Sequence, residues 1–142
     1  MPTGTSSTSF RISTGAKQAL ADRAAREHTS ATALLERLIV EGIRQLDHPG
    51  ITFRGPEHDR RAALAAGPDI WEIVSRLGEL DGPEEHRIAA LADEIDLHPR
   101  LIRIALDYAA AHHDEILERI EHNRQAAHAA REAAANRQAL LA

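Results

Sequence analysis

Ser7-Thr8-Ser9-Phe10-Arg11-Ile12-Ser13, running directly into the helical pattern of Thr14–Glu27 and the apolar stripe Leu34, Leu35, Leu38, Ile39, Ile43 and Leu46, decides how the chain folds. Strict alternation places Phe10 and Ile12 on one face of an extended segment, and Ser9, Arg11 and Ser13 on the other. A lone strand of this length has two unpaired edges and is not stable by itself. No second strand lies nearby in the chain, so the nearest partner is the same strand of another copy. Two copies paired antiparallel make a ribbon with one apolar face and one polar face that carries Arg11 twice.

Helix signals follow. Ser13 or Thr14 can cap a first helix reaching to about Glu27, with Leu20 and Ala24 on its inner side. His28-Thr29-Ser30 forms a polar break, and Ser30 or Thr32 can cap the second helix. The stripe on that helix is too wide for one helical pair to cover, which again requires a second copy.

Composition narrows the class. The chain has 142 residues, 43% of them hydrophobic and 3% aromatic. Alanine, leucine and isoleucine must therefore supply the packing, which favours helices. With no cysteine there is neither a disulfide framework nor a thiolate site. No apolar run spans a bilayer and no signal-peptide pattern opens the chain, so a cytoplasmic protein without membrane contact is expected. The net charge of −5 divides unevenly, at +2 over residues 1–46, −3 over 47–83 and −4 over 84–142. The mildly basic head suits nucleic acid, and the remainder repels it.

Phe10-Arg11-Ile12-Ser13, a helix, a polar turn with Thr29-Ser30 and a Leu34-Leu35-x-x-Leu38-Ile39 helix resemble the ribbon-helix-helix family of dimeric DNA-binding proteins. The resemblance implies an intertwined dimer whose ribbon enters the major groove. Carried over by position, Ser9, Arg11 and Ser13 face base edges, and Arg11 is able to grip a guanine through two bonds. Backbone amides at the start of the second helix, over Thr29, Ser30, Ala31 and Thr32, hold a DNA phosphate. Where the family usually has a glycine in the break, this chain has His28. The competing reading makes the strand a dimer clamp that touches no DNA.

Asp47-His48-Pro49-Gly50 is a breaker cluster and a domain boundary. Beyond it Ile51-Thr52-Phe53-Arg54 reads as a strand, with a return strand at Arg60-Arg61-Ala62-Ala63-Leu64 across a turn. Gly67-Pro68-Asp69 starts a helix with Pro68 in its first position, and Ile70, Trp71, Val74 and Leu77 form its buried side. Trp71, the only tryptophan, is a core anchor on one reading and a ligand-stacking surface on another. Gly78–Pro83 reads as a loop. The pattern Ile88, Leu91, Ala92, Ile95, Leu97, Ile102, Ala105, Leu106 has helix-turn-helix spacing. His98, Arg100 and Arg103 are candidates for a second DNA contact there. Leu101 and Ile104 near the groove, with Asp93, Glu94 and Asp96 on the approach, favour packing or dimerisation instead.

Without a stop signal, the second helix of this unit is expected to continue through Tyr108 and Ile116 to the end of the sequence. Ile116, Ile120, Asn123, Ala127, Ala130, Ala134, Arg137 and Leu141 step by fours and threes. Alanine buries little area, so this seam cannot hold itself to a core. Such a helix either frays or waits for a groove on another protein.

Enzyme chemistry is not expected. The nine histidines include His112, His113, His122 and His128 on the long helix, but their spacings do not align on one face, so no metal site or cofactor is expected. No nucleophile stands beside a base, and no glycine series precedes a lysine.

His48-Pro49-Gly50-Ile51-Thr52-Phe53, then Arg60-Arg61-Ala62, then Gly67-Pro68-Asp69-Ile70-Trp71-Glu72-Ile73-Val74, resemble a bacterial antitoxin-associated domain. With the helix-turn-helix pattern this covers roughly residues 48–120. The resemblance, to VapB-type antitoxins, implies a DNA-binding dimer that represses its own operon and a C-terminal segment that blocks a PIN-like ribonuclease toxin. Arg131 and Arg137, with Leu140 and Leu141, are then the candidate toxin-binding residues.

The expected architecture is therefore mainly α. A ribbon-helix-helix head over 1–46 (one short strand, two helices, dimeric) precedes a β-hairpin and helix-turn-helix domain over 47–120, and an alanine-rich helical tail fills 121–142. The expected partners are operator DNA, the toxin, and a second or further copy of the chain. Two readings compete with the antitoxin: a stand-alone dimeric regulator with a sensing or oligomerisation domain, and a scaffold whose ribbon only dimerises.

Overall fold

The computed structural model describes residues 4–142. Among the described residues the chain is mainly helical with one two-stranded antiparallel sheet, and it divides into two units, residues 1–43 and 44–142.

In the first unit residues 4–13 form neither helix nor strand, and Phe10 and Ile12 stand in solvent. Helix α1 spans Thr14–Arg26, and the choice between two caps falls on Ser13, whose Oγ accepts from the Ala16 amide at 3.1 Å. Beyond its end His28 adopts a left-handed backbone with φ 55°. The amides of His28 and Thr29 donate to the carbonyls of Ala25 and Ala24 at 3.2 and 3.0 Å, closing the last turn as a glycine there ordinarily would. Histidine thus takes up the conformation that the break requires, at some backbone strain. Helix α2 spans Ala31–Asp47, and Ser30 rather than Thr32 caps it, its Oγ accepting from the Ala33 amide at 3.0 Å. Ala24 and Leu34 are the buried pair of this unit, and Arg37 donates to Glu27 at 2.9 Å.

The second unit opens with the hairpin. Strand β1 is Ile51–Arg54 and β2 is Arg61–Leu64, with Ile51 opposite Leu64 and Phe53 opposite Ala62. A 3-10 turn at Glu57–Asp59 joins them. Gly55, at φ 100°, is required there, because a Cβ would collide with the Asp59 carbonyl oxygen.

Helix α3 begins at Ile70, two residues later than Pro68, because Asp69 is its N-cap and its amide donates to Glu72 Oε2 at 3.1 Å. It continues through Glu79, so Gly78 and Glu79 are helical and the loop shrinks to Leu80–Pro83. Its buried residues are Ile70, Ile73 and Leu77. Trp71 and Val74 sit half-buried at the margin, and Ile73 supplies the core position assigned to them from sequence.

Helices α4 (Glu84–Ile95) and α5 (Pro99–Ala111) flank a turn in which Asp96 is left-handed. Helix α6 is separate, spanning His113–Leu141, which corrects the expectation of one continuous helix. His112 breaks the path with φ −126° and ψ 47°, its ring centred 4.5 Å from that of Tyr108 and 5.5 Å from that of His48. Tertiary packing of that ring replaces the missing stop signal. After the break Ile116 and Ile120 join the core of Ile51, Leu64, Ile70, Ile73, Leu77, Ile88, Leu91, Ile102 and Tyr108. Helix α3 packs against both α5 and α6.

Candidate functional site

At the N-terminal end Ser9 and Arg11 are exposed ahead of α1, and the Arg11 side chain has no hydrogen-bond or ion-pair partner among the described residues. Ser13 accepts the α1 capping bond, which leaves its hydroxyl proton free to donate. Of the four residues expected to hold a phosphate, Thr29 has its amide committed to Ala24 and Ser30 has its side chain committed to Ala33. Ala31 and Thr32 remain, at a helix start with no acidic residue in its first turn, which suits an anion.

Leu34 is fully buried, while Leu35, Leu38, Ile39, Val40 and Ile43 are each roughly half exposed and Leu46 is 80% exposed. Side chains three and four apart lie on one helix face, so Leu35, Leu38, Ile39, Ile43 and Leu46 form a continuous apolar strip. The strip is contiguous, unlike the singly scattered apolar side chains of an ordinary surface.

The candidates around the α4–α5 turn are largely committed to structure. His98 caps α5, with its Nδ1 accepting from the Arg100 amide at 3.0 Å. Arg103 donates to Glu85 at 2.7 Å. Leu101 and Ile104, which had weighed against a groove contact, pack on the core instead. Arg100 is exposed and unpaired among the described residues.

On α6, Arg131, Arg137, Leu140 and Leu141 are all exposed. Past Ile120 only Ala127 is even partly covered, so the alanine-rich stretch is a helix without a packing partner in its own unit.

Two constellations escaped sequence reasoning. Asp69, 9% exposed, accepts from Arg61 Nε at 2.8 Å and from the Trp71 indole N–H at 3.3 Å, with Arg54 Nη1 at 3.6 Å. Arg54 also donates to the carbonyls of Leu64 and Gly67 at 2.8 and 2.7 Å, so this node ties the hairpin to the start of α3. Arg61 and Arg119 both reach Asp59, at 2.9 and 2.6 Å, and hold its carboxyl below the ordinary aspartate range, the bond from Arg119 being the main cause. Next to this network lies an open cleft of about 400 Å³, walled by Trp71, Ile116, Arg60, Arg119, His58 and His122.

The second constellation surrounds Tyr108. Its hydroxyl donates to Glu115 Oε2 at 3.1 Å, and Arg44 Nη1 reaches both Tyr108 Oη and Glu115 at 3.2 Å. His48 lies edge-on to the ring at 5.1 Å between centroids. Burial, reinforced by the Glu115 charge, pushes the phenol above its usual range. Burial also lowers His112 below an ordinary histidine. The Tyr108–Glu115 spacing of seven, two helical turns, was the one sequence signal, but the break at His112 falls between them. No group of three metal-ligating side chains comes together among the described residues, and no helix there is long and apolar enough to cross a membrane.

Compared with protein-family models, curated proteins and solved structures, the chain matches none of them.

Proposed function

We propose that this chain is the cytoplasmic antitoxin and autorepressor of a type II toxin–antitoxin pair. In this reading a dimeric ribbon-helix-helix head binds operator DNA through Ser9, Arg11 and Ser13. The hairpin and the α4–α5 helix-turn-helix unit form the middle of the molecule. The bare end of α6 blocks a PIN-like ribonuclease toxin. The observation that carries the reading is the apolar strip of α2 left in water close in sequence to an unpaired alternating segment. Both are deficits that one second copy removes together: segment pairs with segment, and strip packs on strip. The Ser9–Arg11–Ser13 face then points outward, with Arg11 repeated across the two-fold axis. The +2 head on an otherwise negative chain agrees with DNA meeting that end alone.

The tail supports the second half. A PIN-like site gathers carboxylates around a divalent cation, and an arriving guanidinium competes for them. Arg131 and Arg137 are exposed and without ion-pair partners among the described residues, and Leu140 and Leu141 are ready to fill an apolar groove beside them. The test is co-expression with the neighbouring gene. Co-purification with an acidic, PIN-like ribonuclease, together with a mobility shift on the chain's own promoter, is the expected result. A shift without any such partner favours the stand-alone regulator instead, for which the cleft beside Trp71 is the specific support as a sensing site. Neither a shift nor a partner leaves the scaffold reading.

A further inference from the structure

Helix α6 ends in the two most exposed large apolar side chains of the described residues, Leu140 at 83% and Leu141 at 86%. Its last core contact is Ile120. From there a straight helix carries Leu141 about 30 Å away, at 1.5 Å per residue. The tip therefore cannot fold back onto its own unit while the helix is intact, and whatever covers it lies outside that unit.

The same unit offers a place of the right kind. Between α3, α4 and α5 lies a mainly apolar groove of about 380 Å³, walled by Val74, Leu77, Ile88 and Leu106, with Gly78 and Glu84 at its rim. A Cβ placed on Gly78 would meet nothing within 4 Å, so the approach over that helix turn is open. Charge fits as well. Of the two carboxylates opening α4, Glu85 is held by Arg103 at 2.7 Å, whereas Glu84 has no ion pair among the described residues. Arg137 lies three residues before Leu140 and four before Leu141, hence on the same helix face, and it too is unpaired among the described residues. The other charge at the rim, Arg87, is directed back onto the Gly82 and Leu77 carbonyls.

We propose that the groove formed by Val74, Leu77, Ile88 and Leu106 takes the Leu140–Leu141 tip of α6 from a second copy of this chain, with Arg137 meeting Glu84. Two copies exchanging tips satisfy both grooves and both tips in one closed, two-fold arrangement. The exchange keeps the two leucines out of water when no other protein holds them, and any partner that takes the tail must compete with it. It does not depend on the identity of such a partner.

The absence of cysteine makes the test direct. Chains carrying Leu141→Cys are mixed with chains carrying Gly78→Cys under mild oxidation, and the inter-chain disulfide is followed over time on a non-reducing gel. Ala129→Cys, exposed midway along the tail, serves as the control for chance encounter. Cross-linking from position 141 is expected to run about tenfold or more faster than from 129, because the seated tip has a high effective concentration at Gly78. Leu140→Glu on the Leu141→Cys chain should abolish the excess. Glu84→Arg should reduce it, and Arg137→Glu should restore it against that charge-reversed groove. All the tail positions are exposed, so folding is not at stake. Equal rates from 141 and 129, or an excess untouched by Leu140→Glu, overturn the proposal. Because the mixture contains no other protein, that failure leaves the toxin-binding reading standing.

Discussion

Asp69→Ala is expected to destabilise the 44–142 unit by about 3 kcal/mol, the combined effect of a lost cap and a lost charge-assisted hydrogen bond from Arg61. The carboxylate caps α3, accepts from Arg61 Nε at 2.8 Å and from the Trp71 N–H at 3.3 Å, and lies 3.6 Å from Arg54. Losing a helix cap costs about 1 kcal/mol. Losing a charge-assisted hydrogen bond costs roughly 1.5–3 kcal/mol, with more where the partner is left without water. Arg61 keeps 28% of its side chain exposed and a second partner in Asp59, so the lower half of that range applies. Urea unfolding followed by fluorescence is the assay. Trp71 is the only tryptophan and touches the substituted residue, so the signal reports this unit rather than the head. Asp69→Asn retains an acceptor for the cap and the indole, and should lose only about half as much. A loss below about 1 kcal/mol for Asp69→Ala, on the scale of a surface change, would refute the view that this node holds hairpin and helix together.

Arg11→Ala should weaken specific operator binding by about 1–3 kcal/mol if it reads a guanine, measured by mobility shift at fixed salt; indistinguishable binding by variant and parent ends that role. Removing residues 121–142 should abolish toxin binding in a pull-down while leaving operator affinity unchanged, and retained toxin binding rules the tail out. If the head dimerises and binds DNA as proposed, Leu38→Glu with Ile39→Glu should leave it monomeric in sedimentation equilibrium and eliminate DNA binding, since both side chains lie on the exposed strip. For pH, burial holds the folded-state pKa of His112 below the ordinary 6.5, so the unfolded chain takes up that proton first. The His112 contribution to stability is complete above 6.5 and declines as pH falls from there toward the depressed folded value. Urea midpoints at neutral and mildly acid pH should show this decline, and His112→Gln should flatten it.

Much of the fold was legible because it rests on local chemistry. The helix starts after Ser13 and Ser30, the end at Asp47 and the two hairpin strands follow from caps, breakers and alternation that act within a few residues. Ser9, Arg11 and Ser13 were read onto a strand, and in the single chain that segment is exposed and forms neither helix nor strand, because a strand needs a partner that local pattern does not supply. The node around Asp69 was not legible, since Arg54, Arg61 and Asp69 meet only once the hairpin has folded and the next helix has started. Nothing in the spacing of three charged residues on different elements marks them as partners. Trp71 was read onto the buried side of its helix with Ile70, Val74 and Leu77, yet Ile73 is fully buried there while the indole packs at the core margin and donates to Asp69.

Sequence alone determined that the chain is helical, that a small sheet interrupts it, and that α2 carries more apolar surface than one copy can bury. Those properties are set by composition, by periodicities of two and of 3.6, and by capping residues, all within a turn or two of chain. Tertiary structure decided where the long C-terminal pattern breaks. Ala110, Ala111, His112 and His113 contain no stop signal, and each is compatible with uninterrupted helix. The break coincides with the His112 ring packing on Tyr108, one turn before it, and on His48, distant in sequence, and it lets Ile116 and Ile120 reach the core. Burial of side chains from separate elements outweighs the few tenths of a kcal/mol by which local propensity favours continuing, roughly the scale on which such propensities differ. The tail that leaves the core beyond Ile120, free for another molecule, takes its direction from that break.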